Sequence, residues 1–114
     1  MPVLLMTRPQ AAAERFTASL PEAVRGALTV LYSPLLEIRA SGGTVDAGAA
    51  RGLIFTSANG VAAAAAPRCL PAYCVGEATA AAAAEAGYPA TACGGTAEAL
   101  VQHLLERRPD GPLL

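Results

Sequence analysis

The segment Leu53-Ile54-Phe55-Thr56-Ser57-Ala58-Asn59-Gly60-Val61 constrains this chain most. A short apolar run stops at a polar, glycine-bearing turn, and an alanine-rich stretch follows. That order reads as a buried strand, a turn and the first turn of a helix. Tyr73-Cys74-Val75-Gly76-Glu77-Ala78-Thr79 repeats the plan. A third unit follows, with Tyr88 to Ala92 as a short strand, Gly94-Gly95 as a turn, and Thr96 capping a helix that runs to Arg108. Strands alternating with helices predict an α/β fold with a parallel sheet and right-handed crossovers.

The rest of the chain fits the same rhythm. Val3 to Thr7 is apolar enough to be a central, parallel strand. Gln10 to Leu20 reads as a helix with Ala12, Phe16 and Leu20 on its apolar face, ended by Pro21. Leu28 to Tyr32 reads as a second strand. Ser33 to Arg39 alternates apolar and charged residues at its end, and Ser41-Gly42-Gly43-Thr44 breaks the chain. A domain boundary or crossover is expected between Ser33 and Thr44. Asp46 to Arg51 reads as a short helix or turn. Leu53 to Thr56 and Ala72 to Val75 are the strands of the first two repeats. Their helices span Ala58 to Ala66, stopped by Pro67, and Glu77 to Ala86, with Gly87 just past the end. The last helix should bury Ala97, Leu100, Val101, Leu104 and Leu105. Leu113-Leu114 begins a further strand, which suggests an incomplete chain.

Composition excludes several classes. At 114 residues the chain is the size of one ordinary domain. It is 54% hydrophobic and 15% charged, which argues against disorder. A net charge of −1 argues against a general nucleic-acid binder. All eight basic residues are Arg, which a GC-rich coding bias explains better than a need for guanidinium groups. Cys69, Cys74 and Cys93 are odd in number and carry no Cys-x-x-Cys spacing, so neither a disulfide framework nor a zinc site is signalled. The N-terminal apolar run is too short for a signal peptide, and the alanine tracts are too weakly apolar to span a bilayer. A cytoplasmic location and no membrane association are expected.

The chain holds no Gly-x-Ser-x-Gly elbow, P-loop or Gly-x-Gly-x-x-Gly fingerprint. Its one histidine, His103, reads as a half-exposed structural residue. What remains is the set of turns. Thr56 and Ser57, Gly76 to Thr79, and Gly95-Thr96 each sit where a parallel strand should end. A helix cap accounts for any one of them. Three together form a rim at the carboxyl edge of a sheet, where open α/β folds bind ligands. Free N–H groups at helix starts suit an anion there. Arg8, just after the first strand, is the best-placed guanidinium on such an edge, while Glu77 suits a helix start on its own account.

These residues, in this order, resemble the uroporphyrinogen-III synthase family. The resemblance rests on Leu53 to Val61, Val75-Gly76-Glu77-Ala78-Thr79-Ala80 and Gly95-Thr96-Ala97-Glu98-Ala99-Leu100. Val3-Leu4-Leu5-Met6-Thr7-Arg8-Pro9 and Ser33-Pro34-Leu35-Leu36-Glu37-Ile38 fit it too. It implies flavodoxin-like, three-layer α/β domains in a two-domain monomer joined by extended linkers. Residues 1–33 would then open domain one, 34–44 form the linker or crossover, and 45–114 make most of domain two. It implies closure of the linear tetrapyrrole hydroxymethylbilane to uroporphyrinogen III, with inversion of the last pyrrole ring, loss of water and no cofactor or metal. Substrate contacts would fall on Arg8, Thr56, Ser57, Ala58, Asn59, Gly76, Glu77, Ala78, Thr79, Gly95 and Thr96.

One feature departs from the family pattern. The tyrosine held to assist hydroxide loss is not matched by Tyr32, Tyr73 or Tyr88, so no catalytic residue is assigned. The expectation is that this polypeptide by itself leaves hydroxymethylbilane to close to the uninverted isomer. Isomer analysis of the product checks it, and clear formation of the III isomer would refute it. The competing reading is a non-catalytic α/β module that holds a phosphate- or carboxylate-bearing small ligand at the same turns. A flavin is disfavoured, because no aromatic residue brackets the loops.

Overall fold

The computed structural model describes residues 1–43 and 45–114. Thr44, the end of the expected break, lies outside the described residues. The chain divides into two compact units, Met1–Ala40 and Ser41–Leu114.

In the first unit, β1 (Val3–Met6) and β2 (Thr29–Tyr32) pair in parallel, Val3 opposite Thr29 and Met6 opposite Tyr32. Between them run α1 (Gln10–Ser19) and α2 (Glu22–Gly26). The second helix is absent from the sequence reading, which passes from Pro21 directly to a strand. Pro21 explains both elements: it cannot continue α1, yet its fixed φ of −53° suits the start of α2, whose Val24 and Arg25 N–H groups donate to its carbonyl.

The parallel pairing of β1 is as expected, but its central position is not. Among the described residues β1 has one strand neighbour, and Val3 and Leu5 are more than half exposed. The buried stripe of α1 also differs: Ala13 and Thr17 are buried, while Phe16 is 40% exposed. Small residues let the helix lie close to its neighbours, and Thr17 satisfies its hydroxyl on the Ala13 carbonyl at 3.0 Å. Past Tyr32 the chain stays beside β1, with Ser33 N–H donating to Met6 O and Leu35 N–H to Thr7 O. Residues 33–40 are then exposed and form neither helix nor strand.

The second unit opens with a turn, not a helix, at residues 46–51, where Asp46 Oδ1 accepts from Gly48 N–H. Its sheet has the order β3 (Leu53–Phe55), β4 (Ala72–Cys74), β5 (Ala90–Ala92), all parallel. A parallel bridge joins Gly52 to Leu113, and Ile54 N–H donates to Leu114 O, so the chain returns to the free side of β3. At the expected Leu113-Leu114 strand the structure has an isolated bridge at Leu113 and no named strand. Gly52 makes the bridge possible: a Cβ at that position would meet Leu113 Cδ2 at 3.0 Å and Tyr73 Cε2 at 3.1 Å.

Side chains alternate across the sheet. Leu53, Phe55, Ala72 and Cys74 face one side, where they form the core with Val61 of α3 (Ala58–Ala63), Ala83 of α4 (Glu77–Glu85) and Tyr88. Tyr73 faces the other side, where its ring lies 6.1 Å from that of His103 on α5 (Ala97–Arg107). Of the five residues expected on the apolar face of α5, Leu100 is buried and Leu104 half-buried, but Ala97, Val101 and Leu105 are exposed. The helix therefore touches the unit along a stripe narrower than its apolar face.

Helix ends follow local chemistry. After α4, Gly87 takes a φ of 98°, Tyr88 N–H donates to Ala83 O and Gly87 N–H to Ala84 O. This is the Schellman arrangement that only a residue free of Cβ adopts cheaply. α3 ends at Ala63, three residues before the expected stop. The freed segment is pinned instead: Tyr88 Oη donates to Ala66 O at 3.2 Å, Arg68 donates to Tyr88 Oη, and the guanidinium lies 4.4 Å from the Tyr88 ring centre.

Candidate functional site: the carboxyl edge of the second sheet

Because β3, β4 and β5 are adjacent and parallel, the turns that follow them lie side by side on one edge of the second unit. Hydrogen bonds tie the turns together beyond the strands. Val75 N–H donates to Phe55 O at 3.1 Å, Cys93 N–H to Cys74 O at 2.8 Å, and Gly95 N–H to Val75 O at 2.6 Å. The rim is thus an extension of the sheet's own ladder.

Each turn leads into a helix differently. Ser57 caps α3, its Oγ accepting from Gly60 N–H at 3.4 Å. Thr96 caps α5, its Oγ1 accepting from Ala99 N–H at 3.1 Å. At the start of α4 the cap is Gly76, which has no side chain to offer. The first N–H groups of α4 therefore have no side-chain acceptor from the cap residue. They lie in the middle of the three turns. A Cβ at Gly76 would stand 3.5 Å from Gly95 Cα, in ordinary contact with the neighbouring turn. Gly94 and Gly95 hold φ values of 94° and 93°, a conformation that L side chains resist.

The expected contact residues fall into three groups. Thr56, Ser57, Asn59, Glu77, Ala78, Gly95 and Thr96 are exposed along this edge, and Ala58 and Gly76 are half-buried beside them. Thr79, in the first turn of α4, is 7% exposed and packs inside the unit. Arg8 is exposed at the carboxyl end of β1 and belongs to the first unit. Sequence reasoning missed two features: the absent side-chain cap at α4, and the requirement for Gly94. The first was legible in Gly76 standing where Ser57 and Thr96 stand in the other turns.

The rim carries little acid–base machinery. Its carboxylates, Glu77 and Glu98, stand in the first turns of α4 and α5, where the helix dipoles favour a negative charge. Burial pushes the Cys74 thiol up, and the neighbouring Cys93 adds to it; burial likewise raises Cys93. Neither is a ready nucleophile. Among the described residues no group of three or more His, Cys, Asp or Glu side chains is placed to hold a metal ion. Among the described residues no helix is long and apolar enough to cross a membrane.

Such an edge suits a ligand bearing several carboxylates, held by backbone amides and hydroxyls. No curated protein and no solved structure matches the chain. A family model does, that of uroporphyrinogen-III synthase HemD, over residues 19–114. The match takes in all three strand–turn–helix units and the part of the first unit from Ser19 on, without β1, and the chain belongs to the uroporphyrinogen-III synthase family.

Proposed function

We propose that this chain serves the ring-inverting closure of hydroxymethylbilane to uroporphyrinogen III, with the carboxyl edge of β3, β4 and β5 as one wall of the substrate site. Family membership places it in tetrapyrrole biosynthesis. The single observation that carries the finer reading is the uncapped start of α4 between two side-chain-capped turns. Unpaired amides at a helix start hold carboxylates without bringing a competing counter-charge. The edge also borders a change of direction in the sheet. The chain runs from β3 to β4 and β5 on one side, then returns to the other side of β3 at Leu113. Ligands of open α/β sheets favour the crevice at such a point, which here adjoins Thr56 and Ser57.

The chemistry asks mainly for orientation. Hydroxide leaves the hydroxymethyl end, and the substituted carbon of the last ring bonds to the methylene left behind. That ring carbon's older bond to the neighbouring methylene then breaks, the released methylene bonds the unsubstituted carbon of the same ring, and the proton on that carbon is lost, so that hydroxide and proton together make water. Free in solution the same electrophile closes at the unsubstituted carbon. Holding the carboxylate side chains fixes which carbon is near, and placement alone supplies large rate factors. Thr56, Ser57, Asn59 and Thr96 are positioning groups in this scheme. The compartment is cytoplasmic and the working form a monomer built from two domains.

Gly76→Asp tests the wall. Gly76 has extended φ and ψ of −151° and −179°, so any residue is accepted there. An Asp at that position caps the α4 amides and adds charge at the rim. The expected result is a slightly more stable protein, by about 0.3–1 kcal/mol. Its affinity for a polycarboxylate tetrapyrrole such as uroporphyrin should fall about tenfold, the effect of losing one charge-assisted contact. Fluorescence titration and thermal melting measure both. Unchanged affinity would remove the α4 start from the site.

A further inference from the structure

At the opposite end of the same sheet lies a groove of about 460 Å³, lined by Pro71, Tyr73, Pro89, Thr91, His103 and Arg107. Pro71 and Pro89 precede β4 and β5, so the groove opens at the amino ends of the strands, away from the polar turns. Tyr73 and Thr91 are register partners and therefore share a face, the one turned towards α5. His103 and Arg107 stand one helical turn apart on α5 and point to the same side.

The polar groups here are uncommitted. Among the described residues, the Tyr73 hydroxyl, the Thr91 hydroxyl, the His103 ring and the Arg107 guanidinium make no hydrogen bond to another protein group. The one ion pair among the described residues joins Arg39 to Glu37. Glu106, the nearest carboxylate in sequence, accepts from Gln102 at 3.0 Å. Arg107 thus presents a planar fork to the groove mouth without a counter-charge. The rest of the lining is flat and apolar: two proline rings, and the Tyr73 and His103 rings tilted at 54°.

The geometry points to a second binding site here, for a small ligand with a flat apolar body and one carboxylate. The carboxylate pairs with Arg107 and accepts from the Thr91 hydroxyl, while the flat body lies against Tyr73, His103 and the prolines. The volume falls within the ordinary range of small-molecule sites, about 300–1,000 Å³. The site shares no residue with the rim, so it stands or falls independently of the proposed synthase reading.

The test uses the 114-residue chain, whose one histidine gives a single imidazole signal in NMR. Benzoate is the probe. It should move the His103 ring signals along a saturable curve, and benzyl alcohol, its uncharged counterpart, should not. Arg107→Gln should weaken benzoate about tenfold, the usual effect of losing a charge-assisted bidentate contact. Thr91→Val should weaken it less. Arg108→Gln removes the same charge one residue on, at the helix C-cap, and should leave binding within about twofold, as expected for a distant exposed charge. Equal losses in the two arginine variants would overturn the site in favour of general charge attraction. Failure of benzoate to shift His103 would overturn it outright. Inorganic phosphate binding as well as benzoate would overturn the assignment of a flat-bodied ligand.

Discussion

Phe55→Ala is expected to destabilise the second unit by about 3–5 kcal/mol, the usual cost of emptying a phenylalanine site in a packed core. Phe55 is 7% exposed, and its ring centre lies 5.6 Å from that of Tyr88. Around it the core is built from small residues, Ala72, Cys74 and Ala83, with Leu53 and Val61. None of these is large enough to refill the space. A domain of this size has about 5–15 kcal/mol in total, so the loss takes a large share of it. The effect reaches the rim, because Phe55 is the last residue of β3 and its carbonyl accepts from Val75 N–H between the first two turns. Urea unfolding at an unchanged m-value measures it. Phe16→Ala is the control. Phe16 is 40% exposed on α1, and its loss should cost under about 1 kcal/mol, as surface changes do. Similar losses in the two variants would contradict the packing described for β3.

Gly94→Ala is the second large effect. The residue has a φ of 94°, and a Cβ there would stand 2.7 Å from the Ala99 Cβ. Backbone strain at such an angle costs about 1–2 kcal/mol, and overpacking adds roughly 1–3 kcal/mol. Gly95→Ala separates the two contributions. Gly95 has almost the same φ, 93°, but nothing within 4 Å of a new Cβ, so it should show the strain alone. The difference between their denaturation midpoints reports the collision with α5. If Gly95→Ala cost as much as Gly94→Ala, the close approach of this turn to the start of α5 would be refuted. Gly94→Ala should also impair ligand binding at the rim, because relief of the collision moves the turn that Thr96 and Gly95 present.

Apart from α2, the order of elements was legible in the sequence because each signal is local. Apolar runs of three to five residues mark β1 to β5, and Gly87 and Pro21 end helices by their own backbone geometry, whereas α3 stops at Ala63, well before Pro67. The turns at Thr56-Ser57, Gly76 and Gly95-Thr96 were legible for the same reason, since cap chemistry depends on neighbours in the chain. Burial was less legible. Phe16 and Phe55 are equally apolar, and only packing buries one and exposes the other. Val101 and Leu105 fit the helical period of α5 as well as Leu100 does, yet contact with the sheet reaches only part of that face.

Sequence alone determined that this is an α/β chain with three polar turns at the carboxyl ends of its later strands. Local periodicity and turn chemistry suffice for that. Only the tertiary structure decided that the three turns adjoin, because adjacency requires the strand order β3-β4-β5, a set of non-local hydrogen bonds. It alone turned Thr79 inward, where α4 packs on the sheet, and returned Leu113 to the free side of β3. It alone brought Tyr73, Thr91, His103 and Arg107 to one groove, since residues on two strands and a later helix meet only through packing.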